Sequence, residues 1–227
     1  MVPAPHAPPS TLAMIHTVSG LIPTFDALAK QHLPGWHAFN LVDESLLQST
    51  IRDGSLSKLT MRRLTGMIWS AVDAGAQAVV VTCSSLGSAV DAAQPLCPVP
   101  LFRIDEGMAL AALGYGPRIG VLATLGTTLD PTLTLIRRTA AIMGRDSTII
   151  ADIAAGAFEM LRRGDAEGHD LAVAQSLRLL AERVDVIVLA QASMARALAA
   201  VKDVLGPLPV LTSPELGMRH IAKRLST

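Results

Sequence analysis

Two similar stretches of sequence decide the fold, VVVTCSSLG (79–87) and IVLAQASMA (187–195). Each begins with continuous aliphatic residues, which is typical of a strand that is buried on both faces of a parallel sheet. Each then passes through small polar residues toward a segment of helical composition. Short apolar runs alternate with longer stretches of helical period along the rest of the chain, and this alternation predicts an α/β fold.

Neighbouring segments repeat in the same order around this pair. LAMIHT (12–17) is similar to IGVLAT (119–124), and PVPLF (98–102) is similar to PLPVL (207–211), at almost the same separation along the chain. Matches that keep one order and a nearly constant separation indicate an internal repeat. We therefore predict two copies of one α/β unit, each of about a hundred residues.

Composition argues against several classes of function. The chain has 227 residues, of which 50% are hydrophobic and 3% aromatic, and 19 Lys+Arg balance 19 Asp+Glu. A neutral chain with few aromatic side chains offers little to a nucleic acid. The apolar runs are shorter than the ~20 residues of a membrane span, and the start of the chain lacks the pattern of a signal peptide. We expect a cytoplasmic protein that binds neither nucleic acid nor membrane.

Four loops carry the candidate chemistry, because each leaves a predicted strand and enters a helix. They are HTVSG (16–20), TCSSLG (82–87), ATLGTT (123–128) and AQASMA (190–195). Backbone N–H groups beyond the carboxyl ends of parallel strands, together with the helix dipole, favour an anion. The small hydroxyl residues let these amides approach a ligand and add donors of their own. A carboxylate is therefore the expected ligand.

Cys83 is the most reactive candidate in these loops. It follows a buried strand and precedes a helix N-terminus through Ser84 and Ser85. Such a position stabilises a thiolate and lowers the pKa of a cysteine from about 8.5 toward neutrality. The alternative is a structural cysteine that packs as a small hydrophobe, which is how we interpret Cys97. The two cysteines show no spacing typical of metal ligands, and we predict no metal site.

Four features together resemble the aspartate/glutamate/hydantoin racemase superfamily, which includes maleate isomerases and arylmalonate decarboxylases. They are TCSSLG after an apolar strand, VLATLGTT (121–128), VIVLAQASMA (186–195) and the two-copy architecture. The resemblance covers about residues 11–225. It implies two pseudo-symmetric Rossmann-like lobes with parallel four-stranded sheets, an active site in the cleft between them, and no cofactor.

We expect the following boundaries. The Pro-rich residues 1–10 form a disordered leader, residues 11–103 form lobe 1, residues 104–212 form lobe 2, and a C-terminal helix at 213–227 packs back on lobe 1.

Racemases of this superfamily use two cysteines, one from each lobe, on opposite faces of the α-carbon. One thiolate takes the α-proton, the other thiol returns a proton, and backbone amides hold the enediolate. Cys83 matches the first cysteine position, but Gln191 stands at the second and cannot transfer a proton at neutral pH. The other candidates for this second group are His16, which ends the first strand, followed by Asp43, Asp105 and Glu106.

The resemblance and the single matching cysteine predict a cofactor-free isomerase of the amino-acid or hydantoin racemase type. In it Cys83 and His16 are the catalytic residues. One alternative is a decarboxylase of a substituted malonate, in which Cys83 alone protonates the intermediate, although the cysteine of such enzymes corresponds to the second lobe. A second alternative is nucleophilic attack by Cys83, as in maleate isomerases. A third is a non-catalytic carboxylate-binding protein.

The expected partners are a small carboxylate or cyclic amide substrate and further copies of the chain, in a homo-oligomer. The residues predicted to bind the substrate are Thr17, Ser84, Ser85, Gly126, Thr127, Thr128, Gln191, Ala192 and Ser193.

Overall fold

The computed structural model describes residues 10–200 and 205–226, and it contains two four-stranded parallel sheets. The first has the order β2-β1-β3-β4, from β1 (Ser10–His16), β2 (Trp36–Val42), β3 (Ala78–Val81) and β4 (Leu101–Arg103). The second has the order β6-β5-β7-β8, from β5 (Arg118–Ala123), β6 (Thr148–Ile153), β7 (Val186–Leu189) and β8 (Val210–Thr212). Both sheets follow the same order, which confirms the predicted α/β fold with two Rossmann-like lobes.

Helices cover these sheets. They are α1 (Ile22–His32), α2 (Glu44–Asp53), α3 (Lys58–Asp73), α4 (Gly87–Ala93), α5 (Glu106–Ala112), α6 (Gly126–Ile142), α7 (Ala157–Arg162), α8 (Ala166–Ala181) and α9 (Ser213–Leu225). 3₁₀ segments occur at Ser19–Leu21, Ser84–Leu86, Gln94–Leu96 and Ala192–Ala200. Within the described residues, no helix is long and apolar enough to cross a membrane.

The register of the central strands brings the candidate loops together. All residues of β3 and β7 are buried, as their continuous aliphatic runs predict. Ile15 pairs with Val81 in the first sheet, so the loops after β1 and β3 leave the sheet side by side. Leu122 pairs with Leu189 in the second sheet, which places the loops after β5 and β7 in the same relation.

The contact between α5 and α9 requires two glycines. A Cβ atom at Gly107 would overlap the carbonyl oxygen of Leu216, and one at Gly217 would overlap that of Ile104. Each glycine precedes a methionine, and Met108 and Met218 are fully buried. Met218 lies in the hydrophobic cluster that includes β1 residues, so α9 returns to the first sheet after β8.

Two predicted helices differ from the structure. The segment PTLTLIRRTAAIMG (131–144) predicts a helix that opens with Pro at its first turn. In the structure α6 begins at Gly126, because Leu125 is extended and its carbonyl accepts from the N–H groups of Thr128 and Leu129. Pro131 therefore lies inside α6. The sequence also predicts a helix over 193–204. The structure has a 3₁₀ segment over Ala192–Ala200, and 201–204 lie outside the described residues, as do 1–9 of the expected leader.

Candidate active site

A cavity of about 510 Å³ lies between the two lobes. Its polar wall is built from the loops that follow β1, β3 and β7 and from the first turn of α6. The predicted residues that line it are Thr17, Cys83, Ser84, Ser85, Thr128, Gln191, Ala192 and Ser193. The structure thus brings together most of the residues that the sequence assigned to substrate binding, whereas Gly126 and Thr127 do not line the cavity.

Two helices that no sequence motif points to also line the cavity. α2 contributes Leu47 and Ile51, and α7 contributes Phe158 and Leu161. α2 follows β2, and α7 follows β6. Each of these strands pairs with the first strand of its lobe, β1 or β5. The same carboxyl edge of each sheet therefore supplies these helices and the candidate loops, and this shared edge is the signal that could have identified them.

The Cys83 thiol lies in this cavity among hydrogen-bond donors. The Thr17 hydroxyl, the Ser85 side chain and the backbone N–H groups of Ser85 and Leu86 bond to its sulfur, and each of these bonds favours the thiolate. Burial outweighs them and raises the pKa of Cys83 above its usual value. The predicted lowering of this pKa is wrong, because the loss of solvent around the sulfur outweighs all four hydrogen bonds, including the two from the backbone of the helical turn.

Gln191 occupies the position in lobe 2 that Cys83 occupies in lobe 1. Its Oε1 accepts from the backbone N–H of Thr124 at 2.6 Å and from the Thr124 hydroxyl at 3.0 Å. Its Nε2 donates to the same hydroxyl oxygen at 2.8 Å. Thr124, after β5, corresponds to Thr17, after β1. In each lobe this threonine is hydrogen-bonded to the residue that lies just beyond the third strand, Cys83 after β3 or Gln191 after β7. In lobe 2 that residue is an amide, which binds hydrogen-bond partners but does not titrate.

The two lobes are joined at the cavity by a buried bond between hydroxyl groups. Ser85 Oγ, in the loop after β3, lies 2.8 Å from Thr128 Oγ1, in the first turn of α6. Both side chains line the cavity. This bond fixes the cysteine loop of lobe 1 relative to the helix N-terminus of lobe 2.

His16 lies behind the cavity wall. Its side chain is fully buried, and its Nε2 lies 2.8 Å from Asn40 Oδ1. Asn40 gives its own N–H to Asp26 Oδ1 at 3.0 Å, so its oxygen faces the ring and the His16 Nε2 must donate. Nδ1 then accepts from the Thr82 hydroxyl at 2.9 Å. Burial lowers the pKa of His16, against the opposing effects of Asn40 and Asp26, which favours the neutral ring.

This placement bears on the catalytic role predicted for His16. Both of its ring nitrogens are occupied, and Thr82, not His16, lines the cavity. His16 therefore meets the site through the Thr82 hydroxyl and has no direct access to a ligand in the cavity.

The acidic candidates for a second proton donor have other contacts. Asp43 forms an ion pair with Arg63 at 2.6 Å, and the buried Asp105 forms one with Arg103 at 2.9 Å. Burial raises the pKa of Glu106, which begins α5. None of these three acids lines the cavity. Among the residues that the structure describes, no group of three or more His, Cys, Asp or Glu could hold a metal ion.

Comparison with known proteins identifies the family. The sequence model described as Asp/Glu/Hydantoin racemase matches residues 7–221. A search of curated proteins finds no significant match.

Solved structures share the fold at low sequence identity. Glutamate racemase isoform RacE1 from Bacillus anthracis aligns with a TM-score of 0.72 and 16% identity, covering 96% of this chain and 82% of that one. A putative Asp/Glu racemase from Yersinia pestis gives 0.73 and 16%, covering 96% and 100%. Allantoin racemase from Klebsiella pneumoniae gives 0.66 and 17%, covering 96% and 87%. Since the family model spans nearly the whole chain and the two-lobed fold agrees with it, the chain belongs to the Asp/Glu/hydantoin racemase family, whose chemistry supports an isomerase function.

Proposed function

We propose that this chain is a cofactor-independent enzyme of the racemase or isomerase type that transfers a proton at the carbon next to a carboxylate or carbonyl. Cys83 is the acid/base group. The observation that carries this proposal is the position of the Cys83 thiol in the cavity between the lobes, bonded to the Thr17 hydroxyl and to two backbone N–H groups. Donors that favour the thiolate also suit an oxyanion that forms beside it.

The proposed reaction begins when the Cys83 thiolate takes the α-proton. The electron pair of the broken C–H bond passes into the adjacent carbonyl group and forms an enediolate or enolate. Backbone N–H groups and hydroxyls at Ser84, Ser85 and Ser193 hold its oxygens. Racemisation needs the new proton on the face opposite Cys83, and solvent supplies it there because Gln191 transfers none. The Cys83 thiol then releases its proton to solvent, so the enzyme ends each turnover in its starting protonation state.

A second candidate is decarboxylation of a substituted malonate, and two observations favour it. Gln191 offers no proton from lobe 2, and the raised pKa of Cys83 keeps this group a thiol at neutral pH. The bond to one carboxyl group breaks, CO2 leaves, and the electron pair passes into the remaining carboxyl group. The Cys83 S–H then protonates the carbon, and the resulting thiolate recovers a proton from solvent.

Incubation in D2O tests the proposal. The purified protein is given amino acids, substituted hydantoins and substituted malonates, and products are followed by NMR and polarimetry. Deuterium at the α-carbon with loss of optical activity supports racemisation. CO2 release with one deuteron gained supports decarboxylation. Binding without either reaction identifies a carboxylate-binding protein and overturns the proposed function.

A further inference from the structure

The cavity has an apolar wall whose side chains belong to the hydrophobic core of neither lobe. Leu47 and Ile51 are four residues apart on α2, and Phe158 and Leu161 are three apart on α7, so each pair shares one face of its helix. All four side chains are half-buried and line the cavity. None of them belongs to the hydrophobic clusters of the two cores. An apolar surface at a cavity, outside the core, is suited to cover an apolar ligand group.

The charged residues that line the cavity are exposed and already partnered. Glu44 accepts from the backbone N–H and the hydroxyl of Ser19, at 3.0 and 2.6 Å. Arg52 bonds to Asp53 at 2.8 Å. Arg162 bonds to Glu159 of the same helix at 2.9 Å, and both of these side chains line the cavity.

These contacts affect the range of acceptable substrates. No buried, unpaired cation is present among the described lining residues for a second carboxylate, and burying such a group without a partner is costly.

We propose that the substrate carries an apolar group, alkyl or aryl, on the carbon that exchanges its proton, in place of an acidic side chain. This inference rests on the proposed function, because Cys83 defines that carbon. The carboxylate lies against the loops of Ser84 and Ser193, and the apolar group lies against Phe158 and Leu47. A cavity of about 510 Å³ has room for both parts.

Binding of three simple carboxylates tests this specificity. Phenylacetate, acetate and succinate share one carboxylate and differ in the group attached to it, and their affinities are measured by calorimetry on the full chain. We expect phenylacetate to bind at least about tenfold more tightly than succinate or acetate. Equal or tighter binding of succinate overturns the inference.

Variants on one helix locate the apolar subsite. Phe158→Ala is expected to weaken phenylacetate binding by about tenfold, with little effect on acetate. Met160→Ala is the matched control, because Met160 lies on the same helix but does not line the cavity. Circular dichroism checks that both variants fold. Equal losses of phenylacetate affinity in the two variants contradict the proposed contact.

A Cys83→Ala variant separates this inference from the proposed function. Preference for phenylacetate in this variant, together with an absence of deuterium exchange in the unmodified protein, supports the apolar subsite and overturns the proton-transfer function. Deuterium exchange into aspartate or glutamate, with none into acids that bear an apolar group, supports the function and overturns the apolar subsite.

Discussion

The two lobes place different chemistry at the same structural position. In lobe 1 a threonine hydroxyl bonds to the Cys83 sulfur, and in lobe 2 the equivalent threonine holds the amide of Gln191. Strand order and the position of the loops are the same in both lobes, yet of the two groups only a thiol is able to titrate. The two lobes therefore provide two equivalent positions for functional groups. The side chains at those positions decide whether a proton can be transferred at both faces of the substrate carbon or at one face.

Removing the thiol of lobe 1 is expected to have the largest effect. Cys83→Ala should lower the turnover number by at least about a hundredfold, because the two carboxylates that also line the cavity, Glu44 and Glu159, are exposed and bonded to Ser19 and Arg162. Turnover is measured as deuterium incorporation in D2O. Cys97→Ala is the matched control, since Cys97 lines a different cavity. Full activity of Cys83→Ala would show that the central assignment is wrong.

Giving lobe 2 a thiol should change the stereochemistry. In Gln191→Cys the second lobe presents a proton donor at the position equivalent to Cys83. In the decarboxylation of a prochiral substituted malonate we therefore expect product of mixed configuration, whereas the unmodified protein protonates the intermediate from the Cys83 side alone. Chiral chromatography of the product measures the change. Gln191→Ala removes the amide without adding a thiol and serves as the control. A product that stays a single enantiomer in Gln191→Cys would indicate that position 191 does not face the reacting carbon.

Equivalent threonine substitutions in the two lobes should act differently on the cysteine. Thr17→Val removes a hydrogen bond that favours the thiolate, so it raises the pKa of Cys83 further. Thr124→Val removes a partner of Gln191 and leaves the Cys83 pKa unchanged. Ultraviolet absorbance of the thiolate during a pH titration measures both.

The rate of deuterium exchange should depend on the same pKa. Deuterium exchange needs the thiolate, so its rate rises with pH through the Cys83 pKa, and Thr17→Val should slow exchange at neutral pH by about tenfold. A decarboxylase would show the opposite trend, because the thiol is then the donor and the rate falls as pH rises through the same pKa. A Cys83 pKa that is equal in the two variants would contradict the contact with Thr17.

Local sequence patterns predicted the positions of the loops but not the surroundings of the sulfur. The aliphatic run before Cys83 requires a buried strand, and similar segments a hundred residues later predict the second sheet with Gln191 at the equivalent position. The pKa of Cys83 depends on how closely other elements enclose the sulfur, which no local pattern records. His16 likewise ends β1 as predicted, but its contacts with Asn40 and Thr82 depend on strand pairing, and Thr82 lines the cavity in its place.

The smallest expected effect concerns the bond that joins the lobes. Ser85→Ala leaves the buried hydroxyl of Thr128 without its partner, and the loss of such a bond lowers the free energy of unfolding by about 1 kcal/mol. Thr128→Val should cost a similar amount. The double variant should cost less than the sum of the two, because one bond is lost only once. Chemical denaturation measures all three. Strict additivity would show that the two hydroxyls do not interact, and the cysteine loop would then be held against lobe 2 by packing alone.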